Sequence, residues 1–303
     1  MVAVNQTGKA YAGFRKALDL SADILDPQAL FNSHKARVIA DGGTIPDENG
    51  CLARFNFLLN NAIYERTTIC AAPAFGIKVD GSGNVQTVYN MLGASGDLLA
   101  GSQGTPDPLF PMIYDAASHA VIIKIASAGG WFLKSRANQI IQKGKSYLIA
   151  GRMSDLDRAD NNGITAGYNI NNLPLAYLRT MITNGQGTTE AWRYGTRDSG
   201  WPAGNGNALY VATTVYADYI PSAGLFKVSS GVIEGYEKGT LLKTSIPSVT
   251  GKLASLVGNT APLLIGGTQT ASAVGACYGA FQDVLCLHTA DESDAILVSR
   301  LGM

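Results

Sequence analysis

The chain has 303 residues, of which 46% are hydrophobic and 15% are charged, so it can fold around a substantial core. Its 23 Lys and Arg residues balance 23 Asp and Glu residues, which argues against a nucleic-acid-binding protein, since such a protein needs a basic surplus. No run of about 18 uncharged apolar residues predicts a membrane span, and the N-terminus lacks the apolar stretch of a signal peptide. The low charge favours a surface that is covered in part by partners, so we expect a homo-oligomer.

Residues 1–65 are predicted to form a helical segment. Asp26-Pro27 is a typical helix start and Gly42-Gly43 is a typical helix end. A second helix is predicted after Asp47, because apolar residues recur there at spacings of three and four. A short segment cannot bury such faces by itself, so we expect it to pack against another subunit or protein. The predicted contact residues are Leu30, Phe55, Leu58 and Leu59.

Residues 66–303 are predicted to form a β-sandwich. Short runs with period-two alternation are separated by glycine-rich turns, with no helices between them, which favours antiparallel sheets. Glu237-Lys238-Gly239 lies between two such runs and predicts a hairpin. Near the C-terminus we expect a strand with Phe281, Leu285 and Leu287 on one face. A short helix should follow it, capped by Thr289 or Asp291.

The order of these C-terminal elements resembles the end of concanavalin A-like, laminin-G-like jelly rolls. Those domains often finish with an L-x-I-G strand, a G-x-I-x-x-V strand and a helix that opens with L-S-D-A-E. The counterparts in this chain are Leu263–Gly266, Gly279–Val284 and Glu292–Ala295. The resemblance implies that residues 66–303 form an antiparallel jelly-roll sandwich.

The N-terminal part is similar to a leader found in virion proteins of tailed bacteriophages. The matching positions are Arg37–Gly43 (RVIADGG), Tyr64, Pro73, Lys78, Tyr89 and Ser95-Gly96-Asp97. This resemblance implies a structural protein located in the virion, in a tail, neck or fibre assembly, with other virion proteins as partners.

The sequence does not predict an enzyme. Glycosidases with a jelly-roll fold need two carboxylates on one strand face. Glu234 and Glu237 are three residues apart, which places them on opposite faces, so we expect a solvated hairpin. No G-x-S-x-G motif exposes a nucleophilic serine. His119 and His288 flank predicted strands and are interpreted as boundary residues, so we expect no catalytic residue and no cofactor.

Two further patterns leave alternatives open. The four cysteines, Cys51, Cys70, Cys277 and Cys286, have no metal-site spacing and are expected to be reduced, although spacing alone leaves a Cys51–Cys70 disulfide open. Asp155, Asp157 and Asp160 lie in an oxygen-rich loop of the kind that calcium prefers. Their spacing is not that of an EF-hand, so a polar turn is the preferred interpretation and calcium the alternative.

A cluster of aromatic and polar residues decides between two functions. Its members are Trp192, Tyr194, Arg197 and Trp201. Exposed rings with polar neighbours stack on sugars, whereas buried rings would anchor a loop. We favour the buried arrangement, and hence a non-enzymatic virion structural protein that acts through protein contacts. The alternative is a carbohydrate-binding receptor-recognition module on the same sandwich, with a host surface glycan as its partner.

Overall fold

The computed structural model describes residues 25–104, 111–126, 129–140, 146–155, 164–170, 173–183, 189–196, 207–212, 219, 221–227, 230, 232–244, 260–266 and 277–301. Three α-helices lie in this part of the chain: α1 (Pro27–Ala40), α2 (Glu48–Asn60) and α3 (Glu292–Val298). Short 3-10 turns span Tyr64–Arg66, Pro73–Phe75 and Ala94–Gly96. None of the helices in the described ranges is long and apolar enough to cross a membrane.

The strands follow the helical segment. In chain order, those in the described residues are β1 (Thr67–Ala71), β2 (Ile77–Val79), β3 (Val85–Val88), β4 (Leu98–Gly104), β5 (Ile113–Asp115), β6 (Ala120–Ala126), β7 (Gly129–Ser135), β8 (Gln139–Ile140), β9 (Tyr147–Asp155), β10 (Thr165–Ile170), β11 (Leu173–Thr183), β12 (Thr189–Thr196), β13 (Asn207–Ala212), β14 (Pro221–Lys227), β15 (Val232–Glu237), β16 (Thr240–Thr244), β17 (Thr260–Ala261), β18 (Leu263–Gly266) and β19 (Cys277–His288).

Most of the described strands form two large antiparallel sheets, and β8 and β17 form a separate two-stranded sheet. The first sheet has the order β16-β15-β14-β9-β19-β1. The second sheet has the order β2-β3-β4-β7-β18-β10-β11-β12-β13. Strand β6 pairs with β19, β5 and β7, so the sheets are joined along that edge. The predicted fold class, a mainly β antiparallel jelly-roll-like sandwich with an N-terminal helical segment, is therefore confirmed.

The first core lies between the two sheets. Ile149 and Cys286 from the first sheet belong to the same buried cluster as Leu133 and Ile265 from the second sheet. Each of these side chains is completely buried. The helices lie outside this intersheet core, as the sequence predicts.

A second core lies between the outer face of the first sheet and the helices. Successive residues of a strand point to opposite faces, so Leu148 and Leu285, next to Ile149 and Cys286, belong to this helix-facing core. Helix α2 contributes Phe55 and Leu58, and α3 contributes Val298. The first sheet is therefore a middle layer that is buried on both faces.

This second core corrects the predicted role of the helical segment. Phe55 and Leu58 were expected to contact another subunit, but both are completely buried within the chain itself. Leu30 is partly exposed and packs against the same core, and Leu59 is partly exposed. The prediction was wrong for Phe55 and Leu58 because the sheet presents an apolar outer face that covers them.

The residues of the leader pattern meet in one contact network. The Arg37 guanidinium on α1 donates to both carboxylate oxygens of Asp97, at 2.9 and 2.8 Å, and to the Asn90 carbonyl oxygen. The Tyr89 hydroxyl donates to Asp41 at 2.5 Å. A Cβ at Gly43 would lie 2.5 Å from the Tyr89 ring, so only glycine fits there. These contacts hold α1 against the sandwich. They give a physical reason why these residue types occur together in the leader pattern.

The hairpin turn and the helix cap near the C-terminus were predicted correctly. Lys238 and Gly239 have φ values of 50° and 79° and connect β15 to β16, as a tight hairpin requires. Asp291 caps α3 through a capping box with Asp294. Glu234, however, is not solvated: it is 6% exposed, and its carboxylate pairs with Lys227 and accepts from the Tyr236 hydroxyl.

Candidate ligand-binding cleft

A cleft of about 530 Å³ opens between α2 and the first sheet. The wall is formed by Ala53, Arg54 and Phe57 of α2, and the floor by β9 and β19. The turn between β5 and β6 closes one side of the cleft with Ser118 and His119. The volume lies in the range of about 300–1,000 Å³ that small-molecule sites occupy.

A β-bulge in β19 shapes the floor of the cleft. Phe281 pairs with Met153, while Asp283 pairs with the adjacent Arg152, so Gln282 is an extra residue in the strand. Such a bulge shifts the alternation of faces by one residue. Phe281 therefore belongs to the intersheet core, whereas Leu285 belongs to the helix-facing core.

The bulge corrects one prediction and creates the polar floor. Phe281 was expected on the same face as Leu285 and Leu287, and this was wrong because simple alternation omits the extra residue. On the side of the helices, Gln282 and Asp283 both line the cleft, although consecutive residues of a regular strand would point to opposite faces.

An ion pair joins the helix wall to the floor. The Arg54 guanidinium lies 2.9 Å from Asp283 Oδ2, and the two side chains are 4% and 3% exposed. Burial lowers the pKa of Arg54, but the charge and hydrogen bond of Asp283 outweigh it and raise that pKa above its usual value. Arg54 also lies over the Phe75 ring, 5.2 Å from its centroid. The pair thus fixes α2 against β19.

The charge of a second guanidinium, that of Arg152 on β9, acts on the same carboxylate. Arg152 Nε donates to the Tyr219 carbonyl oxygen at 3.0 Å. Burial lowers the pKa of Arg152, while the negative charge of Asp283 raises it. Asp283 therefore faces positive charge from both α2 and β9.

The turn that carries His119 is tied to the bulge. Gln282 Nε2 donates to the Ser118 carbonyl oxygen at 2.6 Å. His119 has a φ of 51°, in the left-handed region that few residues other than glycine adopt. The Tyr114 hydroxyl lies 2.7 Å from His119 Nδ1. These contacts hold the imidazole at the rim of the cleft.

The residues singled out in the sequence lie elsewhere. Trp192 and Tyr194 belong to β12, whose side chains lie outside the described part, as do Arg197 and Trp201. Asp155 ends β9, and its side chain lies outside the description together with Asp157 and Asp160. Within the described ranges, no group of three or more His, Cys, Asp or Glu residues could hold a metal. The calcium and aromatic-cluster hypotheses therefore stay predictions.

Three of the cysteines are buried free thiols, namely Cys51, Cys70 and Cys286. Cys51 and Cys70 form no disulfide, so the reduced alternative holds for this pair. Burial raises the pKa of both Cys70 and Cys286 to about 12. The side chain of Cys277 lies outside the description.

Sequence reasoning missed the cleft residues Arg54, Arg152, Gln282 and Asp283. A signal was present for two of them, since Arg54 interrupts an apolar helix face and Asp283 precedes a buried strand run. Arg and Asp are almost never fully buried unless they are paired. A lone charge inside an apolar element is thus a sign of a buried partner, although it does not say which residue that partner is.

Comparison with known proteins assigns no family. No family model and no curated protein matches the chain. Among solved structures, the binding domain of botulinum neurotoxin DC in complex with rat synaptotagmin II is 9% identical, with a TM-score of 0.48 over 78% of this chain and 52% of that chain. The chain thus spans about half the length of that structure.

Two smaller structures also match. The heptameric SAP-like pentraxin from Limulus polyphemus is 12% identical, with a TM-score of 0.34 over 61% of this chain and 74% of that one. The Ruminococcus gnavus IT-sialidase CBM40 bound to alpha2,6 sialyllactose is 12% identical, with a TM-score of 0.37 over 52% of this chain and 84% of that one. Similarities at this level carry no argument about function.

Proposed function

We propose that this chain is a non-catalytic carbohydrate-binding module whose ligand occupies the cleft between α2 and the first sheet. The observation that carries the proposal is the composition of the cleft. The cleft has a volume of about 530 Å³. Ala53 and Phe57 contribute apolar surface to it, and His119, Arg152 and Gln282 contribute polar groups. A sugar ring combines apolar C–H faces with hydroxyl groups, and such a mixed wall is complementary to both.

Binding without hydrolysis fits the carboxylates of the cleft. Glycoside hydrolysis uses two carboxyl groups, about 5–9.5 Å apart, on either side of the scissile bond. Among the described residues that line the cleft, the carboxylates are Asp283 and Asp47. Asp283 is paired with Arg54, and Asp47 accepts a hydrogen bond from the Gly50 backbone N–H at the start of α2. Both are engaged in structural contacts, which supports a module that binds without hydrolysis.

A glycan array with the full chain tests the proposal. Ala53 is exposed and lines the cleft, so an Ala53→Arg substitution fills the cleft without removing a core contact. We expect the wild type to bind a defined set of glycans and this variant to lose them. Asn60→Arg, on an exposed position of α2 that does not line the cleft, makes the matched control and should bind normally.

The same array distinguishes two possible locations of the glycan site, the cleft and the aromatic cluster. Loss of binding in Trp201→Ala, together with full binding by Ala53→Arg, would move the site to that cluster. Wild-type protein that binds no glycan would refute the carbohydrate-binding function altogether.

Location in a bacteriophage virion stays a prediction that rests on the leader resemblance. The proposed module and that location are compatible, because a receptor-recognition protein of a virion would bind a host surface glycan. The matched leader residues Arg37, Asp41 and Tyr89 make contacts inside this chain. Contact mapping by electron microscopy of an intact particle is the measurement that tests the location.

A further inference from the structure

Two oxygen atoms of residues that line the cleft lack hydrogen-bond partners. Gln282 Oε1 and Asp283 Oδ1 are both buried, and neither has a partner within the part of the chain that the structure describes. Nearly all buried polar atoms in folded proteins are hydrogen-bonded, so each exception asks for an explanation. Two exceptions on consecutive residues that line one cleft point to a missing donor in that cleft.

The other half of each side chain is already engaged. Gln282 Nε2 donates to the Ser118 carbonyl oxygen, and Asp283 Oδ2 pairs with Arg54. Neither group can therefore turn its free oxygen toward another partner without breaking an existing contact. The bulge at Gln282 keeps both residues on the cleft side of β19. The two free acceptors are thus held in place before any ligand binds.

The charges around Asp283 decide which kind of donor fits. A metal ion would lie beside the guanidinium of Arg54, and the charge of Arg152 acts on the same carboxylate. The positive charges of these two guanidinium groups disfavour a cation at the carboxylate. A neutral hydroxyl group donates a hydrogen bond without adding charge, and it is the donor that carbohydrates supply in number.

We infer that Gln282 Oε1 and Asp283 Oδ1 form a subsite that accepts hydrogen bonds from hydroxyl groups of the bound sugar. The inference rests on the proposed carbohydrate-binding function and deepens it, because it assigns the hydroxyl groups the role of donors at the floor. Gln282 is then a specificity-determining residue, as it supplies one acceptor and ties the His119 turn to the floor.

Calorimetric titration of the full chain tests the subsite with a methyl glycoside chosen from the array. Deoxyfluoro analogues of that glycoside replace one hydroxyl at a time, and fluorine has no hydrogen to donate. The wild type should lose about three- to tenfold in affinity for the analogue that lacks a contacted hydroxyl.

A ligand-by-variant cycle isolates Gln282. Gln282→Met should weaken the parent glycoside by a similar factor and show no further loss with the analogue. Gln86→Met is the matched control, since Gln86 lies exposed on β3, and it should behave as the wild type does. Gln282→Glu keeps acceptor oxygens but loses the donor to Ser118, so it should retain sensitivity to the fluoro analogue.

Each outcome bears on one proposal. Equal affinity of the wild type for all fluoro analogues, or a Gln282→Met loss that adds in full to the fluoro loss, would overturn the subsite and leave the glycan cleft standing. Loss of fluoro sensitivity in Gln282→Glu would assign Gln282 to holding the turn and would also overturn it. Absence of glycan binding by the wild type would overturn both proposals together.

Discussion

The two cores of this molecule are built from different interactions. The intersheet core is a continuous cluster of aliphatic and aromatic side chains. The helix-facing core has an ion pair buried at its margin, Arg54 with Asp283, and two more that are partly exposed, Arg37 with Asp97 and Arg66 with Asp294. The pairs of Arg37 and Arg54 join α1 and α2 to the sandwich, and the pair of Arg66, directly after the helical segment, reaches α3. Hydrophobic burial has no direction, whereas a hydrogen-bonded ion pair constrains the geometry of the two groups.

The comparison shows how a helical segment is positioned on a sheet. Apolar residues such as Phe55 and Leu285 supply the burial, but they would tolerate a shift of the helix along the sheet. Arg37 on α1 and Arg54 on α2 set one position, and that position leaves the cleft open beside α2. Breaking each core separately tests this division of roles.

The largest effect is expected from deleting residues 1–62. This truncation removes α1 and α2, which contribute Phe31, Phe55 and Leu58 to the helix-facing core, and uncovers part of that core, to which the completely buried Leu148 and Leu285 belong. An exposed apolar sheet face of this kind leads to aggregation, so we expect an insoluble or aggregated product. Size-exclusion chromatography and binding of a hydrophobic dye measure this outcome. A monomeric truncation that unfolds cooperatively would show that the sandwich needs only its intersheet core.

The next largest effect is expected from breaking the buried ion pair. Arg54→Ala leaves the Asp283 carboxylate buried and unpaired, which costs about 3–5 kcal/mol of unfolding free energy. The double variant Arg54→Met with Asp283→Leu should recover most of the loss, because no isolated charge remains. Urea unfolding measures both.

The matched control for the buried pair is Lys35→Ala. It breaks an ion pair with Glu48 whose side chains are 36% and 48% exposed, and it should cost less than about 1 kcal/mol. Equal losses for Arg54→Ala and Lys35→Ala would contradict the special role of the buried pair.

A smaller, pH-dependent effect is expected from His34, which lies on α1. Burial lowers the pKa of His34 to about 4, the hydrogen bond to the Phe75 carbonyl oxygen raises it, and the Arg37 charge lowers it. Between an ordinary pKa of about 6.5 and this value, the unfolded chain binds a proton that the folded chain does not. Stability should therefore fall as the pH decreases through this range, by up to about 3 kcal/mol from this group.

Carboxylates titrate in the same range. The effect of His34 is therefore measured as the difference in unfolding free energy between the wild type and a His34→Gln variant. His34→Gln keeps a side-chain donor for the Phe75 carbonyl oxygen and removes the titration. Its unfolding free energy should decline less steeply than that of the wild type between pH 6.5 and pH 4. Identical slopes would show that His34 does not contribute to acid destabilisation.

Local signals in the sequence predicted much of the fold. The Asp26-Pro27 start, the Lys238-Gly239 hairpin and the Asp291 cap each depend on a few neighbouring residues, and each occurs as expected. The double burial of the first sheet had a local signal too. Runs such as Tyr147–Ala150 are apolar at every position, which is typical of a strand covered on both faces.

The cleft could not be predicted because its parts come from distant positions. Arg54 and Asp283 are 229 residues apart, and nothing in either local pattern names the partner. The bulge at Gln282 adds one residue to one strand only, so the sequence of β19 alone gives no sign of it. Long-range pairing and strand register determine the site, and both are properties of the assembled sheets.

Each core contains a buried thiol whose rate of alkylation can measure how often that core opens. Cys51 and Cys70 lie in the helix-facing core, and Cys286 lies in the intersheet core. Because burial raises their pKa values, these thiols hold almost no reactive thiolate at neutral pH. Alkylation must then wait for an opening that admits solvent and reagent. Faster modification of Cys51 and Cys70 than of Cys286 would record the helices lifting from a sandwich that stays closed.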